Sequence, residues 1–368
     1  MTNPLHSVTT EPRIHKRRFA GIGWCVNWLL LWLCCEYACA ADLSARVETG
    51  LRKSLAFYEH QQHGGGWASA YSLDLDSRWG EWLPVEKNVI TVNHDATTGI
   101  GLIYLRASKV LKEPSYREIA RQAGDLLVSG QPKHGGFPEE LRLTSEGVEG
   151  VGNQGVLEDH ATDRATELLL QLFDATGEEQ YRTAARKAVD FLVTAQYPSG
   201  AFPQRYPLAG NSYSRLYDMT TGEPLIVERA TGRRVQELKE LPEDKRQRWY
   251  IGPLFEQRPA TAVSTVQTWN RLRVLGRKDL LAQRLKRTGR PDIESGYGAF
   301  RTPQIATEKD CLALIGAVES ILHEQNPAGW WPGQWYNVDA IPSYVFTRNA
   351  INLITYLDVS DEENENSR

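Results

Sequence analysis

The feature that most limits what this chain can fold into is a short phrase written four times. Gln61 opens "QQHGGGW", Gln131 opens "QPKHGGF", Gln196 opens "QYPSGAF" and Gln325 opens "QNPAGWW". Each reads Gln-x-x-x-Gly-x-aromatic, with aromatics Trp67, Phe137, Phe202 and Trp331, and Pro138, Pro203 and Pro332 follow the last three. The copies lie 70, 65 and 129 residues apart, the last interval being close to two units. Recurrence at such a period marks an architecture made by stacking one supersecondary unit, because a single unit cannot bury its apolar face alone.

The middle copies show what the unit is. "HDATTGIGLIYL" pairs with "DHATDRATELLL", and "SYREIARQAGDLLVSGQ" pairs with "QYRTAARKAVDFLVTAQ" at the same offset. Tyr181, Ala185, Ala188 and Leu192 fall on one helical face, and Leu168, Leu169, Leu172 and Phe173 mark a helix before them. Gly177 between the two can take a left-handed C-cap. The spacing therefore predicts a helix hairpin closed by an extended Gly/Pro turn, and residues 44–62 and 308–325 read as helices of the same kind. The phrase resembles the QW motif of terpene cyclases, within the alpha/alpha toroid superfamily. That resemblance implies an all-α barrel of two helix rings, whose cleft is made by the loops at one end and the starts of the inner helices.

From 209 to about 305 the pattern breaks. "TTGEP" and "ATGRR" are turn signals and "LIV" suggests an extended piece. A short non-helical excursion is expected near 209–260, followed by helices in "AVSTVQTWNRLRVLG" and "KDLLAQRLKR". The acidic end "EENENSR" reads as a disordered tail over 359–368.

Composition matters first for the address of the protein. "RIHKRR", the apolar run "FAGIGWCVNWLLLWLCC" and "ACA" form the three parts of a secretory leader. Cleavage is expected after Ala40, giving a mature domain of 41–358 that is secreted or periplasmic, with no membrane contact once the leader is gone. An uncleaved anchor is the alternative reading of the apolar run. The net charge is −4, and the leader carries Arg13, Lys16, Arg17 and Arg18 against Glu11 and Glu36. The mature chain is therefore more acidic still, and nucleic acid is not an expected partner. Of five cysteines only Cys311 lies beyond the leader, which leaves no internal disulfide and no cysteine metal site. Cys311 sits at core spacing in "CLALIGAVESIL", as a buried thiol would. A monomer is expected.

"RKAVDFLVTAQYPSGAFPQRYPL", "VLEDHATDRATELL", "RLYDMTTGEPLIV" and "GGWASAYSLDL" together resemble the pectate lyases of polysaccharide lyase family 10. The resemblance covers about residues 44–255. It implies cleavage of polygalacturonate by calcium-assisted β-elimination, with Arg215 removing the C5 proton. The chain departs from the family where "AGNSY" joins the YPL segment almost directly to the arginine-led segment, and where Glu223-Pro224 stands for Arg-Pro. Part of the family's cleft is therefore either missing or supplied by later helices.

The chemistry asks for clustered carboxylates to hold calcium, cationic groups for the substrate's acids, and a base. Glu158, Asp159 and Asp163 are the candidate calcium ligands, Glu158 and Asp159 aligning with the family's acidic pair. The bland reading of all three is helix capping. Arg205 can grip a carboxylate through two hydrogen bonds. Gln204 can contact a hydroxyl, and Tyr206 and Trp67 can stack on sugar rings. Phe202 and Trp331 read as packing residues of the repeat. Two further readings stand beside the lyase. One is a catalytically impaired protein that binds acidic polysaccharide. The other is a toroid glycoside hydrolase, which needs two opposed carboxylates, with Asp95 and Asp159 as the candidates. No hydrolase serine motif, zinc-protease motif or phosphate loop is present.

Overall fold

The computed structural model describes residues 22–81, 83–93, 95–157, 160–196, 205–207, 226–228, 234–235, 237–240, 248–250 and 308–366. The chain divides into two compact units, residues 1–45 and 46–368. The described part of the first unit is helical. Helix α1, Ile22–Gln61, runs through the expected cleavage point at Ala40. Among the described residues no helix is long and apolar enough to cross a membrane.

The second unit is built from hairpins of helices. α2 (Thr97–Val110) pairs with α3 (Pro114–Gly130), and α4 (Ala161–Thr176) with α5 (Glu179–Ala195). α6 (Glu308–Glu324) pairs with α7 (Ser343–Asn366). The α4–α5 corner is the predicted one: Gly177 is left-handed at φ 73° and its N–H donates to the Phe173 carbonyl. Tyr181, Ala185, Ala188 and Leu192 are all buried, as their spacing requires. α7 continues to Asn366 rather than giving way to a disordered tail at 359.

Two kinds of helix are distinguished by burial. In α2 the nine residues from Thr97 to Leu105 are all buried, and in α4 only Asp163 interrupts a buried run from Ala161 to Leu170. α3 and α5 bury one face and show the other to solvent. α2 packs against both α4 and α7, so these three form the inner layer.

The repeated phrase is the device that joins one hairpin to the next. Gln131 Nε2 donates to the Gly135 carbonyl of its own turn (2.9 Å) and to the Ala184 carbonyl of α5 (2.9 Å). Gln325 Nε2 does the same with Gly329 (3.0 Å) and with Gly50 of α1 (2.9 Å). The glycine at the fifth position allows this approach. Gly135 and Gly329 have φ 93° and 102°, and a Cβ would strike the carbonyls of Lys187 and Lys53. The aromatic is then fixed from the inner helix. Thr97 Oγ1 accepts from Trp67 N (3.0 Å), and Thr162 Oγ1 accepts from Phe137 N (3.0 Å). The last copy docks on the first outer helix, so the described ends of the stack meet, and the architecture is an alpha/alpha toroid.

Short strands occupy the end of the ring where the inner helices begin. β1 (Ala70–Tyr71), β2 (Arg78–Trp79), β11 (Gly333–Trp335) and β12 (Val338–Pro342) form an antiparallel sheet in the order β11-β12-β1-β2. β3 (Val89–Thr91), β4 (Glu140–Thr144) and β5 (Gly147–Gly150) form a second. β6 (Gly155–Val156) pairs with β7 (Arg205–Tyr206). In the predicted excursion, β8 (Ile226–Glu228), β9 (Arg234–Val235) and β10 (Arg248–Tyr250) form a three-stranded antiparallel sheet. The two helices expected after it lie outside the described residues.

Candidate active site

β3, β6 and β12 each precede an inner helix, β12 without a break, so the starts of α2, α4 and α7 lie at the strand-bearing end of the ring. The residues just before α2 and α4 are unusual. Asp95 (φ 59°) and His160 (φ 62°) are both left-handed, and they occupy equivalent positions in two copies of the repeat. For a side chain other than glycine this conformation costs about 1–2 kcal/mol, and strain of that kind concentrates at functional sites.

A chain of charge runs from these two positions into the ring. Asp95 pairs with Arg164 Nη1 at 2.8 Å, and Arg164 is 3% exposed. An arginine in the first turn of a helix faces the positive end of the helix dipole, so it is held there by its acid and not by the helix. One turn further in, Glu167 is buried and accepts from Gln171 Nε2 at 3.2 Å. Burial lowers the pKa of Arg106 on α2, an effect that the charges of Glu167 and Asp358 oppose. Asp95 thus meets Arg164, while Asp159, its counterpart in the hydrolase reading, lies outside the described residues.

A second cluster surrounds β4. Glu139, just before it, forms an ion pair with Arg205 of β7. Glu140 is pushed above the usual carboxylate range, chiefly by burial and also by the charge of Glu81, while the Glu81 N–H it accepts pulls the other way. Glu81 in turn accepts from Asn93 Nδ2 at 3.2 Å.

The residues singled out from the sequence fall as follows. Arg215, Gln204, Glu158 and Asp159 lie outside the described residues. Arg205 and Tyr206 share β7, where Arg205 pairs with Val156 and Tyr206 with Gly155. The Arg205 side chain is 41% exposed, so it can take a carboxylate while its partner Glu139 orients it. The Tyr206 ring stands edge-on to Phe191 at 5.8 Å and packs against the small cluster of Leu157, Phe191, Leu192 and Ala195. Asp163 lies in the first turn of α4, where His160 Nδ1 bonds its carboxylate at 3.0 Å. Trp67 corrects the expectation of a sugar-stacking residue. It has no exposed area, its indole N–H donates to the Tyr58 carbonyl (2.6 Å), and its ring stacks on Tyr104. Trp331 shares this packing role, donating to the Ile321 carbonyl at 2.8 Å.

Glu139 and Arg164 were missed at the level of sequence, although each carries a signal. Glu139 follows Phe137-Pro138 as Gln204 follows Phe202-Pro203, which makes it the residue specific to its own copy. Arg164 is a cation at the wrong end of a helix.

Comparison with known proteins links one stretch of this chain to a family. The sequence profile of the pectic acid lyase family matches residues 139–221, the stretch from Glu139 through Asp163 and Arg205. The resemblance to pectic acid lyases read from the sequence therefore holds over that stretch. Among solved structures, the chain is similar to a mutant of the family 10 polysaccharide lyase from Cellvibrio cellulosa in complex with trigalacturonic acid. The identity is 34% over 30% of this chain and 35% of that one, with a TM-score of 0.23. A second structure of a family 10 lyase from Cellvibrio cellulosa is 29% identical over 36% of each chain, with a TM-score of 0.21. The match thus spans about a third of the length of these lyases. The type II terpene cyclase MstE from Scytonema aligns over 86% of this chain and 98% of its own, at 14% identity and a TM-score of 0.38. No curated protein matches.

Proposed function

We propose that the protein is an exported polysaccharide lyase that cleaves polygalacturonate by β-elimination with the help of calcium. One observation carries this reading. The stretch matched by the pectic acid lyase profile, 139–221, is the stretch that brings Glu139, Asp163 and Arg205 to the inner-helix starts.

β-Elimination removes the C5 proton of a uronate and expels the C4 oxygen of the glycosidic bond. Calcium, when bound, withdraws charge from the uronate carboxylate and makes that proton more acidic. Among the described residues no group of three or more His, Cys, Asp or Glu is arranged to hold a metal ion. Glu158, Asp159 and Asp163 are the residues proposed to hold it, with His160 bonding one oxygen of Asp163. Arg205 orients a substrate carboxylate, and its own orientation is set by Glu139. Arg215 is proposed as the base. Its intrinsic pKa, above about 12, requires neighbouring positive charge to depress it.

The test is to incubate the mature protein with polygalacturonate and follow absorbance from unsaturated uronate. A calcium-dependent rise that a chelator abolishes and Arg215→Ala removes supports the reading. New reducing ends without absorbance would assign a hydrolase. Binding without cleavage would leave the acidic-polysaccharide-binding protein.

A further inference from the structure

Among the described residues, two buried side-chain oxygens at β3 and just beyond it are without a hydrogen-bond partner. They are Thr91 Oγ1 and Asn93 Oδ1, on residues 0% and 1% exposed. A buried polar atom left unpaired is rare, and it calls for a water or an ion.

Both atoms belong to one acidic corner. Thr91 faces Glu140 across the β3–β4 ladder. The neighbouring Val92 N–H donates to the Glu139 carbonyl at 2.7 Å. Thr91 and Glu140 therefore form a non-hydrogen-bonded pair, the kind whose side chains approach most closely. The Glu140 carboxylate lies so close over Gly80 that a Cβ there would strike it, and it accepts from the Glu81 N–H. Glu81 is itself 5% exposed, and its Oε2 accepts from Asn93 Nδ2 at 3.2 Å. That bond brings the Asn93 amide, with its unpaired oxygen, into the same corner. Two carboxylates, an amide oxygen and a hydroxyl oxygen thus meet where the turn after β2, the β3–β4 sheet and the approach to α2 converge.

The donor set selects the ligand. Two acids exclude an anion. Burial, with repulsion from Glu81, holds Glu140 above the usual carboxylate range. A hard divalent cation offsets that repulsion and takes the two neutral oxygens as ligands. Sets that mix carboxylate with amide and hydroxyl oxygen suit calcium, whose coordination shell is large and adaptable. Asn93 holds in its repeat the position that Glu158 holds in the next, so this corner is separate from the calcium ligands proposed above.

We propose that Glu81, Glu140, Asn93 Oδ1 and Thr91 Oγ1 hold a structural calcium ion that pins the turn after β2 and the β3–β4 sheet to the approach to α2. The site does not depend on the polysaccharide reading.

The probe is calcium, added to the chelator-treated mature protein and followed by melting temperature and calorimetric titration. The background carries Glu158→Gln and Asp159→Asn, which removes acids of the other proposed site. Calcium should still raise the melting temperature there by several degrees. Adding Glu81→Gln should weaken calcium binding at least about tenfold. Thr91→Val separates a ligand from a packing residue. Without metal it should melt no lower than its parent, because the hydroxyl it removes bonds nothing, yet it should bind calcium more weakly. Glu140→Gln should likewise stabilise the metal-free protein at neutral pH and lose the response. A rise seen in wild type but absent from the background would assign calcium to the other site alone and overturn this one. A response of unchanged affinity after both Glu81→Gln and Thr91→Val would also overturn it, leaving buried water as the partner of the two oxygens.

Discussion

Environment, not residue type, decides what a side chain does in this chain. Trp67 is a large aromatic in a Gly-bearing turn. Trp67 has no exposed surface and spends its indole N–H on Tyr58, so its work is packing. Trp67→Ala should cost about 3–5 kcal/mol of stability, the usual penalty for emptying a large aromatic site. Substrate affinity per folded molecule should be unchanged. Denaturant unfolding and a binding isotherm on the same sample check both parts, and a selective loss of affinity would return Trp67 to the substrate. Arg205 is the converse case. Its type suits a carboxylate, but its partner Glu139 lies 66 residues away in sequence and was not legible there. The helix-local contact of His160 with Asp163 was within reach of sequence reasoning, because residues three apart share a face.

At the scale of elements, the helices and their corners were the legible part. Burial of Tyr181, Ala185, Ala188 and Leu192 follows from period alone, and Gly177 takes the cap that its lack of a Cβ permits. The short strands were not legible. Two- to five-residue pieces carry too little pattern to separate them from turns, and each is specified by a partner distant in the chain. The β3-β4-β5 sheet contains Glu140, whose carboxyl is raised by burial and by Glu81. The folded state therefore holds this proton to higher pH than the unfolded chain does. Its contribution to stability is full below the ordinary carboxylate value and is lost as pH rises through the raised one. Glu140→Gln should accordingly gain stability at neutral pH and show no gain near pH ~4. Thermal melts of the two proteins across that range measure the difference, and a variant less stable at neutral pH would contradict it.

At the scale of the whole molecule, the repeat explains why the ring closes. Four glutamines at near-regular spacing announced a circular stack, and Gln131 and Gln325 make the same pair of bonds, one within the ring and one across its seam. Gln325→Ala should cost about 1–2 kcal/mol by leaving two carbonyls without their donor. Amide exchange should quicken in residues 46–61, whereas Gln131→Ala should quicken α5 instead. Unchanged exchange in 46–61 would place the closure elsewhere. The central claim is chemical, and the masses of the products formed from polygalacturonate test it most directly. Elimination predicts that every cut yields one fragment lighter by one water than the matching saturated oligogalacturonide, formed only when calcium is present. Exclusively saturated products, or an uncut polymer in the presence of calcium, would contradict it.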